Sequence, residues 1–158
     1  MLSRQLCVLT LVAACGDAPR APSHPGPSKP GGARVVALPE TGDFDRLVAD
    51  AAANARAAGL EPYLEFTAAW CAPCRHFEQL RDEPTMTSAL AGTLIIQADY
   101  DRWQAVADRL AVSAIPTWLA LDAQGRPRPE RRIDGGAWSE DTAANMAPAL
   151  GAFFHAGD

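Results

Sequence analysis

Two cysteines separated by two residues constrain this 158-residue chain more than any other feature. Cys71 and Cys74 follow the mainly apolar run 63–68 and begin a helical pattern. Residues three apart share one face of a first helical turn, so the thiols can form and break a disulfide with little backbone movement. The unpaired N–H groups and the dipole at that helix end favour a thiolate at Cys71, and Pro73 pre-sets the helical φ. The motif therefore predicts a reactive dithiol at a strand-to-helix junction.

Length, composition and charge limit the class of protein. The chain has room for one domain with additional segments, and 48% of its residues are hydrophobic, which is enough for one ordinary core. Its net charge is −5 and its sequence contains no basic patch, which argues against nucleic acid as a partner. The sequence also contains no nucleotide-binding loop, so we expect no cofactor.

The N-terminus has the pattern of a targeting segment. Arg4 precedes the apolar stretch 6–14, which is too short to span a bilayer and has the size of a signal-peptide core. Small residues then precede Cys15, as in a bacterial lipobox. We therefore expect residues 1–14 to be a lipoprotein signal peptide and Cys15 to be lipidated. The alternative is an ordinary signal peptide cleaved after Ala14, with the following cysteine incidental.

The rest of the chain divides into a tether and a folded part. Residues 15–33 are rich in Pro and Gly and predict an extended, lipid-anchored tether, whereas residues 34–158 predict the domain. We expect the domain on the periplasmic side of a bacterial membrane. Cleavage would remove Cys7 and lipidation would use the lipobox cysteine, which would leave Cys71 and Cys74 in the folded part. A purely structural bridge between them is the alternative, although so small a loop would restrict little chain entropy.

Hydrophobic periodicity alternates between two kinds of element in the folded part. We predict strands at 35–38, 62–67, 93–98, 117–121 and 131–134, and helices at 43–58, 72–81, 85–91, 102–110 and 139–154. Strands that alternate with helices and end in a hairpin indicate an α/β fold with a central mixed sheet flanked by helices.

An acidic residue and a proline accompany the cysteines. Glu65 lies in the strand before Cys71, and a carboxyl group there is expected to be buried, with a raised pKa. It would then accept the proton of Cys74 during attack on a mixed disulfide. The alternative is a solvated glutamate at a sheet edge. Ile115-Pro116 directly precedes a predicted strand, and X–Pro bonds are where cis peptides occur.

Three further side chains lie close to the cysteines in sequence. Glu78 is one helical turn after Cys74, where its charge would raise a thiol pKa, or it forms part of a solvated helix surface. His76 suggests a metal site with Cys71 and Cys74, but zinc usually takes four ligands and no second cluster is present, so we expect no metal. A two-thiolate copper(I) site remains chemically possible. Trp70 is expected to cover the site.

The run 66–75, together with Ile115-Pro116-Thr117, resembles the thioredoxin superfamily. Within it, residues 40–155 are most similar to the C-terminal periplasmic thioredoxin domain of the disulfide reductase DsbD. The resemblance implies a thioredoxin fold in which Cys71 is the nucleophile and Cys74 the resolving thiol.

The same resemblance implies roles for the surrounding residues. Pro116 would be a cis-proline on the substrate side, and Glu65 would occupy the place of a buried acid that is usually Asp in thioredoxins. Glu78 would match a second acid of the DsbD-like domain. Substrate contacts are expected at Trp70, Ala72, Pro73, Ile115 and Pro116.

These patterns together predict an exported, lipid-anchored protein-disulfide reductase without a cofactor. The Cys71 thiolate would attack a disulfide in a protein substrate, Cys74 would resolve the mixed disulfide, and a membrane thiol–disulfide electron donor would regenerate the dithiol. We expect the protein to be a monomer. One alternative is an oxidant or isomerase, which requires a strongly stabilised Cys71 thiolate. Another is a copper(I)-handling binding module without turnover.

Overall fold

The computed structural model describes residues 32–156. Its strands are β1 (Arg34–Ala37), β2 (Glu61–Thr67), β3 (Thr93–Asp99), β4 (Thr117–Leu121) and β5 (Pro127–Asp134). Its helices are α1 (Phe44–Ala57), α2 (Ala72–Leu80), α3 (Pro84–Ala89), α4 (Gln104–Arg109) and α5 (Ala143–His155), with a 3₁₀ turn at Gly135–Ala137. The expected signal peptide, the lipidation site Cys15 and all but two residues of the expected tether lie outside the described residues.

The five strands form one mixed sheet in the order β1-β3-β2-β4-β5. Strand β3 runs parallel to both β1 and β2, whereas β4 runs antiparallel to both β2 and β5. The predicted mixed α/β architecture is therefore confirmed. Strand β2, which leads into the cysteine helix, is the central strand, and its residues from Pro62 to Phe66 are all buried.

Helices cover both faces of the sheet, because alternate residues of each strand point to opposite sides. On one face, α1 and α4 pack against Leu64, Phe66, Ile96 and Leu119. On the other face, α2, α3 and α5 pack against Tyr63, Ile95, Trp118 and Ala120. Glu65 is two residues from Tyr63 and so belongs to the second face, directly beneath the helix that carries the thiols.

Two predicted starts are wrong by four residues, whereas the other boundaries agree within two. The edge strand β5 begins at Pro127 and not at 131, because prolines at 127 and 129 are tolerated on an edge strand and the pairing with β4 shifts register between Leu119 and Ala120. Helix α5 begins at Ala143 and not at 139. Thr142 is its N-cap and accepts a hydrogen bond from the backbone N–H of Asn145, while the residues before it form a 3₁₀ turn and loop.

Candidate active site

The two cysteines form a disulfide at the start of helix α2. Their sulfur atoms are 2.07 Å apart and their Cα atoms 5.3 Å apart. Cys71 is the N-cap of the helix, and its Sγ accepts a hydrogen bond of 3.2 Å from the backbone N–H of Cys74. Both residues are buried, at 3% and 2% exposure. The predicted strand-to-helix junction is confirmed, with Pro73 in the first helical turn.

The loop before β4 packs against this disulfide. The peptide bond between Ile115 and Pro116 is cis. The carbonyl oxygen of Ile115 lies 3.5 Å from Cys71 Sγ, and Ile115 packs against the small buried cluster of Ala68, Cys71 and Cys74. Pro116 is buried and Ile115 is half-buried, so Ile115 is the more accessible of the two residues.

A groove of about 320 Å³ opens beside the disulfide. Its walls are the α2 N-terminus, the loop that holds the cis-proline, and the loop between β5 and α5. It is lined by Pro73, Ala114, Ile115, Gly135, Gly136, Trp138, Ser139, Glu140 and Asp141. Two of the expected substrate contacts, Pro73 and Ile115, therefore share one surface next to the sulfur atoms.

Trp70 and Ala72 flank Cys71 in the sequence, and both are exposed. Trp70 is 61% exposed, and its indole N–H donates a 2.8 Å hydrogen bond to Asp101 Oδ2. Asp101 follows strand β3, so a distant loop orients the indole ring beside the reactive pair. Ala72 is exposed between the cysteines. Their roles in substrate contact stay predictions.

Glu65 is fully buried in the central strand of the sheet. Its Oε2 accepts a 2.9 Å hydrogen bond from Gln97 Nε2, and its Oε1 has no hydrogen-bond partner within residues 32–156. Burial raises the pKa of this carboxyl from 4.5 to about 8, while the Gln97 hydrogen bond opposes the rise and the nearby Glu78 charge adds to it. The expected burial and raised pKa are confirmed, and the alternative of a solvated glutamate at a sheet edge is wrong.

Glu78 belongs to the same polar cluster. Its Oε1 accepts a 2.5 Å hydrogen bond from Gln97 Nε2, and its Oε2 lies 3.0 Å from the Arg81 guanidinium. Its side chain is 36% exposed. Glu78 is therefore on a partly solvated helix surface, as one interpretation expected, but it is also connected to the buried Glu65.

Gln97 is the member of this cluster that the sequence analysis did not identify. It lies on β3 directly opposite Glu65 on β2 and bonds both glutamates. A polar residue within the apolar run 93–98 was the available signal. Its partner was not evident, because the pairing register of two strands cannot be obtained from either strand alone.

The imidazole of His76 is paired with the carboxylate of Asp141. Its Nδ1 lies 3.5 Å from Asp141 Oδ2, and Asp141 also accepts a 2.9 Å hydrogen bond from the Trp138 indole. Within the part of the chain that the structure covers, no three His, Cys, Asp or Glu side chains are grouped to hold a metal ion. Across the same residues, no helix combines the length and apolarity needed to cross a bilayer.

Comparison with known proteins places this geometry in a family. The thioredoxin family profile matches residues 40–147. The chain is 38% identical over 88 residues to the thiol:disulfide interchange protein DsbD of Salmonella paratyphi A, and 32% identical over 95 residues to that of Escherichia coli strain K12. These matches cover 52% and 57% of this chain but only 16% and 17% of the relatives' own lengths.

A solved structure supports the same fold. The disulphide isomerase of Xylella fastidiosa superposes with a TM-score of 0.53 at 20% sequence identity. The superposition covers 73% of this chain and 92% of that one. At this identity, the match supports the fold alone.

Proposed function

Because this chain belongs to the thioredoxin family and carries a disulfide between Cys71 and Cys74 at its active site, we propose that it is a protein-disulfide reductase. The observation that carries the proposal is the position of this disulfide, at the N-terminus of α2 and beside the cis-proline loop and the groove. A substrate disulfide that enters the groove meets Cys71 with Ile115 next to it.

Cys71 is the nucleophile in this proposal. Its sulfur is at the N-cap, where it already accepts a backbone N–H, and the same interaction would stabilise a thiolate in the reduced protein. The thiolate attacks one sulfur of the substrate disulfide. A Cys71–substrate disulfide forms, the substrate's own S–S bond breaks, and the other substrate sulfur leaves as a thiolate.

Cys74 then completes the reduction. It loses its proton to the Glu65 carboxylate and attacks Cys71 Sγ, which breaks the mixed disulfide and releases the second substrate thiolate. The products are the Cys71–Cys74 disulfide and a neutral Glu65 carboxyl. A base whose pKa is about 8 is well matched to a thiol, whose ordinary pKa is about 8.5.

One acid on α2 and one beneath it support the reducing direction. An oxidising pair needs a strongly stabilised thiolate in its reduced form. The charge of Glu78, one helical turn after Cys74, disfavours a further negative charge on that sulfur, and a Glu65 carboxylate beneath the helix would add to this effect once it is ionised. The similarity to DsbD agrees with this direction.

The partners follow from the same cycle. We propose that disulfide-containing proteins are the substrates and that a membrane thiol–disulfide donor reduces the Cys71–Cys74 bond again. The lipobox pattern supports export to the periplasmic side and an anchor at Cys15, and we expect a monomer. The protein would then meet both its donor and its substrates at a bacterial membrane.

The reduction potential of the Cys71–Cys74 pair tests the direction. Tryptophan fluorescence is followed across a series of glutathione redox buffers, with Cys74→Ser as the control that has no intramolecular disulfide. We expect a potential near or below roughly −200 mV. A value near about −120 mV would make the protein an oxidant. The absence of any transition, combined with tight copper(I) binding by the reduced protein, would favour the binding module.

A further inference from the structure

Gln97 connects two acids that come from different elements. Its Nε2 donates to Glu65 Oε2 at 2.9 Å and to Glu78 Oε1 at 2.5 Å. An amide nitrogen carries two hydrogens, so both of its donors are used. The bridge joins β2, β3 and α2, and the reaction proposed above gives Gln97 no part.

We propose that Gln97 is a positioning residue that couples the proton of Glu65 to the charge of Glu78. Any effect of this coupling on the reaction rate rests on the proposed function, because in that proposal Glu65 is the acid that accepts the Cys74 proton. The coupling itself is a property of the folded protein and exists in the oxidised form.

The surroundings of Glu65 show why one amide has so much influence. The charged groups that face it are Glu78, on α2, and Arg81, the C-cap residue of that helix. At the same register, β3 presents the neutral Gln97 and β4 presents the neutral Trp118. Gln97 therefore makes the one hydrogen bond found for the Glu65 carboxyl within residues 32–156.

The Gln97 bridge has two opposite effects on the pKa of Glu65. Donation to Oε2 stabilises the carboxylate and so favours release of the proton. Holding Glu78 in place keeps a negative charge close to Glu65, which favours retention of the proton. The hydrogen bond is the larger of the two effects. Loss of the Gln97 amide should therefore make Glu65 harder to ionise, whereas loss of the Glu78 charge should make it easier.

The test measures the titration of the Glu65 carboxyl carbon by NMR in the oxidised protein, where the cysteines are bridged and do not titrate. Gln97→Met keeps the side-chain length but removes the amide, and we expect its midpoint to rise by about one pH unit. Glu78→Gln should lower the midpoint. Gln79→Met is the matched control, because Gln79 is an exposed glutamine on α2, and should leave the midpoint unchanged.

An unchanged or lowered midpoint in folded Gln97→Met would overturn the proposal. If that variant does not fold, the wild-type protein still decides the matter. Both side-chain amide protons of Gln97 should then shift with the Glu65 midpoint, and their failure to respond would refute the bridge.

A kinetic measurement separates this proposal from the proposed function. The release of substrate from a mixed disulfide by Cys74 is followed as a function of pH in the same variants. A pH profile that moves together with the Glu65 midpoint supports both. If the midpoint moves and the release rate does not, the bridge is upheld and the role of Glu65 as the proton acceptor is lost.

Discussion

The two active-site cysteines differ in their position on helix α2 and not in their burial. Cys71 is the N-cap, and its sulfur approaches the carbonyl of Ile115, a residue that lines the groove. Cys74 is in the first turn, and its backbone N–H is directed to the sulfur of Cys71. This asymmetry supports the proposal that Cys71 makes the first attack and Cys74 the resolving attack.

Substitution of each cysteine should therefore give a different result. Cys71→Ser should abolish reduction of a protein disulfide such as that of insulin. Cys74→Ser should still attack and should accumulate a mixed disulfide with the substrate, visible on a non-reducing gel. The double variant is the control. Accumulation by Cys71→Ser and not by Cys74→Ser would reverse the two roles.

The raised pKa of Glu65 also affects stability. The unfolded chain releases this proton near 4.5 and the folded protein near 8, so between these values the folded state binds more protons. The stabilising contribution of the neutral carboxyl is complete below 4.5 and is lost as the pH rises through about 8.

We expect the free energy of unfolding of the oxidised protein to fall between pH 5 and pH 9, with a component from Glu65 of up to about 5 kcal/mol. Glu65→Gln should lack that component in urea unfolding experiments. Glu61→Gln, an exposed glutamate of the same strand, is the matched control and should keep it. An identical pH dependence in wild type and Glu65→Gln would contradict the raised pKa.

At the scale of elements, the turn between β4 and β5 is closely packed on helix α1. Gly125 has a φ of +78°, and a Cβ atom there would lie 2.7 Å from the Cα of Ala49. Gly92 has almost the same φ, +75°, but a Cβ there would meet nothing within 4 Å. The two glycines have nearly the same positive φ but differ in the space available to a Cβ atom.

Alanine substitutions at these two glycines separate the energetic cost of backbone strain from that of a steric clash. Gly92→Ala should cost about 1–2 kcal/mol, the penalty of a left-handed conformation for an L-residue. Gly125→Ala should cost a further ~1–3 kcal/mol, because helix α1 must move away from the turn. Urea unfolding of both variants measures the difference. Equal losses would show that the turn and the helix are not in close contact.

The sheet determines how the elements form the site. A single cross-strand row contains Gln97, Glu65 and Trp118, since β3 and β4 flank β2 in register. Helix α2 packs over this row and contributes Glu78. Placement of the acids thus depends on strand register, and a shift of β3 by one residue would turn Gln97 to the opposite face.

At the scale of the whole molecule, the described residues form one two-sided sheet with its reactive disulfide at the start of a helix. The proposed anchor belongs to the part of the chain before this domain. Lipidation is expected to hold the domain at the membrane, because each buried CH₂ of an acyl chain contributes about 0.8 kcal/mol to membrane binding.

Metabolic labelling with an alkyne fatty acid tests the anchor in bacterial cells that express the full chain. Cys15→Ala should lose the label and release the protein from the membrane fraction, while the purified variant keeps its insulin-reducing activity. Cys7→Ala is the matched control and should keep the label. Equal labelling of Cys15→Ala and wild type would rule out this lipidation site.

Much of this fold and part of its site could be predicted from sequence, because the patterns involved are local. The spacing of Cys71 and Cys74, the apolar strand before them and the helix after them concern neighbours within one or two turns, and all were confirmed. Glu65 was expected to be buried because it interrupts an apolar strand. The starts of β5 and α5 were missed, since an edge-strand register and the Thr142 cap decided them.

The tertiary structure alone decided which distant groups meet. Gln97 is 32 residues from Glu65 and 19 residues from Glu78, yet it bonds both because β2 and β3 pair in one register beneath α2. The Ile115 carbonyl reaches Cys71 across 44 residues in the same way. Local periodicity determines the elements and the faces that they bury, whereas the chemistry of the site depends on the register and packing between elements, which the whole chain settles together.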